Sequence, residues 1–243
     1  MLKNNTFDYF EKTGFMKINL DKKYLKDYSN LKKTIKKSFA KNFKNNSFEK
    51  FHLNISFDEI NEIRMRIIEK INKDKEIKEK IYLSAKKIIN QMVGPDIIVQ
   101  KNINLAIQMP EDESRALFHK DTPLSSKHEL VIWLPLVDCK QSMCMTMIPK
   151  KYHNEADSLL KKTNEKIYED FAKKNGITIP LKFGQALIFN TNNFHYIPIN
   201  KTQKTRWSLN LRFKNLFTPY GERNLLDYYQ IIDSSPISRL LNI

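Results

Sequence analysis

Cysteine is nearly absent from this chain. Cys139 and Cys144 are the two in 243 residues, and they lie close together near an expected strand turn. Two such residues build neither a disulfide framework nor a thiolate metal site, and their scarcity suits a reducing compartment. Long apolar runs are missing too. No stretch approaches 18 uninterrupted apolar residues, so no membrane span is expected. Met1 to Thr6 lack the apolar run that opens a signal peptide, and the expected location is cytoplasmic. Arginine is sparse beside lysine in a chain whose net charge is +15. Such a charge admits nucleic acid or anionic surfaces as partners. Readers of bases and phosphates favour arginine forks, however, and these lysines are spread through nearly every expected helix. The expectation is a solvated lysine surface, with no nucleic acid and no membrane as partner. An anionic substrate would be helped by the same charge.

What the chain does have is aromatic bulk, with 15 Phe and 10 Tyr. Its length fits one domain, or one domain with a helical extension. Phe7 to Phe10 reads as a helical turn, Gly14 as a turn residue, and Phe15 to Asn19 as a strand. Over 22–44, Leu25, Tyr28, Leu31, Ile35, Phe39 and Phe43 fall three and four apart, which predicts an amphipathic helix. Ser56 to Glu59 reads as a capping box before a helix carrying Ile60, Ile63, Ile67 and Ile71. Asp74 opens a further helix that stops at Gly94-Pro95. The helical segment 1–95 is expected to buttress a sheet; the alternative is a lid over substrate.

After Pro95 the apolar period changes to two. Strands are expected at 97–99, 102–109, 129–138, 142–148, 177–182, 185–190, 194–199 and 205–214. A helical insertion is expected at 152–175, and a tail at 215–243 with a short helix around 225–232. Segment 96–214 would then be the β-rich core. In strand 102–109, Asn104 and Gln108 share a polar face. That face lines a barrel mouth and touches substrate, or else it is the wet side of an antiparallel strand. Trp133 lines the same pocket or packs in the core.

The chemistry concentrates in Phe118-His119-Lys120-Asp121, after an apolar approach of Ala116, Leu117 and Phe118. Alternate residues of an extended segment share a face, so His119 and Asp121 can converge on one point. Far downstream His195 stands in a second apolar stretch, Phe194 to Ile197, and Arg206 and Ser208 follow it. Two histidines and a carboxylate make the facial set that holds ferrous iron with open positions. An arginine beyond the second histidine suits a carboxylate-bearing co-substrate, gripped through two N–H groups.

Residues 101–214 resemble the iron(II)- and 2-oxoglutarate-dependent dioxygenases, and among them the phytanoyl-CoA dioxygenase-like branch. The matching pieces occur in order. They are His119-Lys120-Asp121; the strand Val131 to Asp138; Met147-Ile148-Pro149 with His153; Phe183-Gly184 to Phe189; His195; and Arg206 to Phe213. Lys150-Lys151-Tyr152 stands where that branch has Gly-Ser, so this turn is built differently. The resemblance implies a double-stranded β-helix, the jelly-roll or cupin-like fold class, mainly β with a helical N-terminal part. It implies Fe(II) on His119, Asp121 and His195, with 2-oxoglutarate bound by Arg206 and Ser208. It also implies dioxygen and a small-molecule substrate as partners. Related halogenases replace the carboxylate with a small residue, so Asp121 implies hydroxylation or another oxidation. Arg212, on the strand face of Arg206, would reach an anionic substrate or form a surface salt bridge. Two rivals remain at this point: a cupin-like metal-dependent isomerase without 2-oxoglutarate, and a non-catalytic barrel. The polar face at Asn102, Asn104 and Gln108 suggests a sugar or nucleotide sugar as substrate.

Overall fold

The computed structural model describes residues 4–114, 117–122, 124–160 and 164–240. Ala116 of the apolar approach, Pro123 of the following loop, 161–163 of the insertion and 241–243 of the tail lie outside the described residues.

Helices come first. α1 (Asn4–Thr13), longer than the expected turn, leads through Gly14 into β1 (Phe15–Asn19). Gly14 holds φ +84°, and a Cβ there would meet Asn193 Oδ1 at 2.1 Å, so a side chain is excluded twice over. α2 (Leu25–Ser38) ends before the expected boundary, and the chain tightens into a 3-10 turn at Ala40–Asn42. α3 (Ile60–Lys73) buries Ile60, Ile63, Ile67 and Ile71. The Glu59 carboxylate accepts from the Ser56 N–H at 3.0 Å and from its hydroxyl at 2.8 Å. α4 (Lys75–Val93) starts where Asp74 Oδ1 accepts the Glu76 N–H at 3.0 Å.

The strands follow: β2 (Ile97–Gln100), β3 (Asn104–Gln108), β4 (Leu130–Pro135), β5 (Met145–Met147), β6 (Ile177–Ile179), β7 (Gln185–Asn190), β8 (His195–Tyr196), β9 (Arg206–Asn215) and β10 (Tyr229–Asp233). They form two antiparallel sheets. The larger runs β1-β7-β4-β9-β2-β10, and the smaller β6-β5-β8. β3 also pairs with β9, so two short strands share one edge of it. Val99 lies opposite Phe213, and Gln108 opposite Arg206.

β9 positions the site because its two faces differ in kind. Trp207, Leu209, Leu211 and Phe213 are buried and face the helical layer. Trp207 packs against Phe43, Phe48 and Phe51 at centroid distances of 5.8, 4.7 and 4.9 Å. The alternate residues, Arg206, Ser208, Asn210, Arg212 and Lys214, face the space between the sheets. A run of polar side chains on an inner strand face is costly unless each finds a partner.

Two expectations need correction. The tail around 225–232 is not a short helix but turns and then β10, which pairs with β2. Its Leu, Tyr and Ile residues match helical spacing, but the open edge of β2 offers a row of backbone donors and acceptors that an added strand satisfies in register. The helical insertion is not continuous either: α5 (His153–Leu159) and α6 (Glu165–Asn175) are separate helices, the second capped by the Asn164 side chain. A last short helix, α7 (Pro236–Leu240), closes the described chain.

Candidate active site

One antiparallel bridge brings the two histidines together. The His119 N–H donates to the His195 carbonyl at 3.1 Å, and the His195 N–H to the His119 carbonyl at 2.9 Å. Residues paired in this reciprocal way project from the same face, and their ring centroids are 4.2 Å apart. Two residues on, the Asp121 N–H is fixed to the Thr191 carbonyl at 2.9 Å. The outcome is that one ligand atom from each of His119, Asp121 and His195 lies within 4.8 Å of the others.

Both rings are oriented by their own backbone. His119 Nδ1 is 2.6 Å from the Leu117 carbonyl, and His195 Nδ1 is 3.1 Å from that of Asn193. A carbonyl only accepts, so each Nδ1 carries a proton and Nε2 is the atom left to face a metal. Burial opposes a charge on His119, but Asp121 and the Leu117 carbonyl outweigh it and raise its pKa, so a metal would displace a proton there. Asp121 is pinned from the other side. Arg212 Nη2 donates to Asp121 Oδ2 at 2.8 Å, while Oδ1 lies 3.7 Å from His119 Nε2. Burial alone would raise the Asp121 carboxyl, but His119, His195 and Arg212 outweigh it and hold the group well below the usual carboxylate range. Burial, joined by the neighbouring His119, pushes His195 down to about 4. At neutral pH His195 is therefore a neutral donor and Asp121 an anionic one, the protonation states that metal ligation requires.

Behind Arg212 stands a buried network that the sequence reading missed. Arg212 Nη1 donates to Tyr228 Oη at 3.3 Å and to Gln100 Oε1 at 3.4 Å. Glu129, 1 % exposed, accepts at Oε1 from the Tyr229 hydroxyl and the Ser126 N–H, each at 2.6 Å. Its other oxygen is 3.9 Å from Arg212 Nε. The C-terminal strand thus braces a candidate metal ligand through one arginine. No motif marks Glu129 or Tyr229: Glu129 stands just before β4, and the pairing of β10 with β2 brings Tyr229 to it.

The metal set opens on a cavity of about 300 Å³ between the sheets. Arg206 borders the same cavity and is 3 % exposed. Its Nε and Nη1 have no hydrogen-bond partner among the described residues, and its guanidinium carbon stands 5.8 Å from the centre of the Trp133 ring. Burial works against its charge, and no carboxylate among the described residues stands within ion-pair distance, the Asp112 charge favouring the cation only from farther off. A buried cation so weakly compensated is unfavourable, and this corner suits an anion. Asp112, from the acidic loop before the motif, also reaches the cavity, but it accepts the Ser114 N–H at 2.9 Å.

The other expected site residues divide. Trp133 and Gln108 border the cavity, and Gln108 donates to the Pro198 carbonyl at 3.0 Å while its Oε1 is unpaired. Ser208 shares the face of Arg206, and its buried hydroxyl has no partner, but it does not border the cavity. Asn104 is exposed and opens on a neighbouring cleft. Arg212 forms no surface salt bridge, because its cation is spent on Asp121 inside the fold. His128 is exposed, and His153 is turned to the Ile148 carbonyl at 3.0 Å. His52 meets Thr205 Oγ1 at 2.9 Å. α3 also borders the cavity, with Asn61 and Arg64 beside Ile60; the sequence singled out neither polar residue.

No protein-family model matches this chain, and no curated protein matches it by sequence. Solved structures do. The non-heme monooxygenase ThoJ aligns with TM-score 0.58 at 16% identity, over 94% of this chain and 83% of that one. EvdO2 from Micromonospora carbonacea var. aurantiaca aligns with TM-score 0.56 at 12% identity, over 90% and 95%. The non-heme alpha ketoglutarate dependent epimerase SnoN from nogalamycin biosynthesis aligns with TM-score 0.50 at 13% identity, over 89% and 84%. What is shared at such identities is the architecture: the chain has the double-stranded β-helix fold of these proteins, with a His–Asp–His set able to hold a metal ion between its sheets.

Proposed function

We propose that this chain is an iron(II)- and 2-oxoglutarate-dependent oxygenase acting on a small polar molecule. One observation carries the reading. A single cavity holds a tautomer-fixed His–Asp–His set and, from the strand after the second histidine, a buried guanidinium with unpaired N–H groups. The donor set suits a divalent ion that takes imidazole and carboxylate ligands, and the unpaired guanidinium suits a carboxylate. The structural neighbours titled as alpha ketoglutarate dependent support the same reading. The order of the motifs along 101–214 further supports a place beside the phytanoyl-CoA dioxygenase-like branch.

His119, Asp121 and His195 would hold the iron, which when bound supplies activation of dioxygen for C–H oxidation as 2-oxoglutarate becomes succinate and carbon dioxide. The chain's own residues do the rest. Arg206 takes the far carboxylate of the co-substrate and fixes its orientation. Trp133 walls that corner off from water, which strengthens the ion pair. Arg212 keeps one Asp121 oxygen occupied, so the other faces the metal position.

The direct test is succinate release with anaerobically loaded iron. Asp121→Ala is expected to abolish iron-dependent turnover and to lose tight metal binding in a calorimetric titration. Metal binding without 2-oxoglutarate consumption would favour a cupin-like isomerase. No metal binding at all would leave a non-catalytic barrel.

A further inference from the structure

A second cleft, of about 760 Å³, adjoins the metal cavity, and Arg64, Ala106 and Asn210 border both. The first cavity, at about 300 Å³, lies at the low end of small-molecule sites, which span roughly 300–1,000 Å³. With a metal and a co-substrate seated there, little room is left for a substrate, and the neighbouring cleft, which shares the small Ala106 side chain as part of its wall, is the adjoining space for the rest of one. The other two shared side chains each keep one buried polar atom unpaired. Arg64 Nη2 donates to Asn61 Oδ1 at 3.1 Å, but its buried Nε has no partner among the described residues. Asn210 Oδ1 is buried and unpaired as well. Buried polar atoms are nearly always hydrogen-bonded, so a donor and an acceptor left open at one junction call for a ligand with the reverse pattern.

The charge of the junction is also defined. In the second cleft Lys73 and Glu69 neutralise each other at 2.7 Å. Asn102 and Asn104 are neutral, and Arg64 is left as the free cation among the described residues that line that cleft. The wall is rigid. Asn72 donates to the Ile68 and Ile103 carbonyls and accepts the Ile103 N–H at 2.7 Å, which ties α3 to the chain just before β3. The helix that carries Arg64 is thus fixed against the sheet at this junction.

We propose that the substrate is an acidic, hydroxyl-bearing small molecule lying across both cavities. Its carboxylate or phosphate pairs with Arg64, and one of its hydroxyls donates to Asn210. Arg64 is then a specificity-determining residue. This rests on the oxygenase reading above and adds the chemical class of its substrate.

The test is calorimetric titration of manganese-loaded protein in the presence of 2-oxoglutarate, with D-gluconate and D-glucose 6-phosphate as acidic probes and D-glucose as the neutral one. At least one acidic probe is expected to bind about tenfold or more tightly than glucose, a margin of roughly 1.4 kcal/mol. The better of the two identifies the anion as carboxylate or phosphate. Arg64→Gln removes the margin, Arg64→Lys keeps part of it, and both variants bind 2-oxoglutarate as the parent does. The inference is overturned if glucose matches both acidic probes. It is equally overturned if neither acidic probe binds up to about 10 mM, beyond the range of weak fragment binding, or if Arg64→Gln changes nothing, while 2-oxoglutarate still binds. Absence of 2-oxoglutarate binding in every protein would instead remove the oxygenase reading and this inference with it.

Discussion

Arg212 decides how Asp121 is presented. With Oδ2 held at 2.8 Å by the guanidinium, the carboxylate can offer a metal one oxygen in a fixed direction. Partners of this kind typically contribute about 10- to 100-fold in metal affinity. Arg212→Gln is therefore expected to weaken manganese binding by about that factor, measured by calorimetry, with the fold intact by circular dichroism. Another residue on the same strand face, Lys214, gives a pH signature. Burial pushes its amine down from 10.5 to about 8, while its Nζ donates to the Thr218 and Pro219 carbonyls at 2.8 and 3.0 Å. Between about pH 8 and 10.5 the unfolded chain binds more protons than the folded one, so stability rises with pH across that window. Below it both states are protonated and the full cost of the buried cation is present. Lys214→Met is expected to flatten the rise, read as urea midpoints at the two ends of the window. Single residues were the most legible part of this site. His119, Asp121 and His195 announce themselves by type and spacing. Arg64 does not, because an arginine on an amphipathic helix is read as a solvated cation until the neighbouring sheet is known.

Among the elements, β9 carries the most. Its period of two was plain in Arg206 to Phe213, and so was which face would be apolar. The partners of its polar face were hidden, since β3, β4 and the C-terminal strand come to it from far along the chain. β10 shows why. Leu225, Tyr228, Tyr229 and Ile232 fit a helical stripe, and local pattern could not foresee that β2 would leave an edge open for them. The strand then serves the site, since the Tyr229 hydroxyl donates to buried Glu129 beneath Arg212. Tyr229→Phe leaves that oxygen with the Ser126 N–H alone. The expected loss is about 1–3 kcal/mol of unfolding free energy, checked by urea denaturation. An unchanged midpoint would show that the network does not bear on stability.

For the molecule as a whole, the proposed function turns on Arg206, a cation that the fold buries without an ion-pair partner among the described residues. On the proposed reading, burial of Arg206 costs the ligand-free protein stability, and a dicarboxylate co-substrate relieves that cost. The net charge of +15 acts in the same sense at longer range, favouring the approach of anions to the molecule. The most direct measurement is thermal denaturation and 2-oxoglutarate titration of manganese-loaded parent and Arg206→Met side by side. The variant should be at least as stable as the parent without ligand, since it loses an unpaired buried charge. It should bind 2-oxoglutarate about 30-fold or more weakly, as expected when one partner of a buried charge pair is removed, and keep its manganese affinity. Equal 2-oxoglutarate affinity in the two proteins would contradict the account.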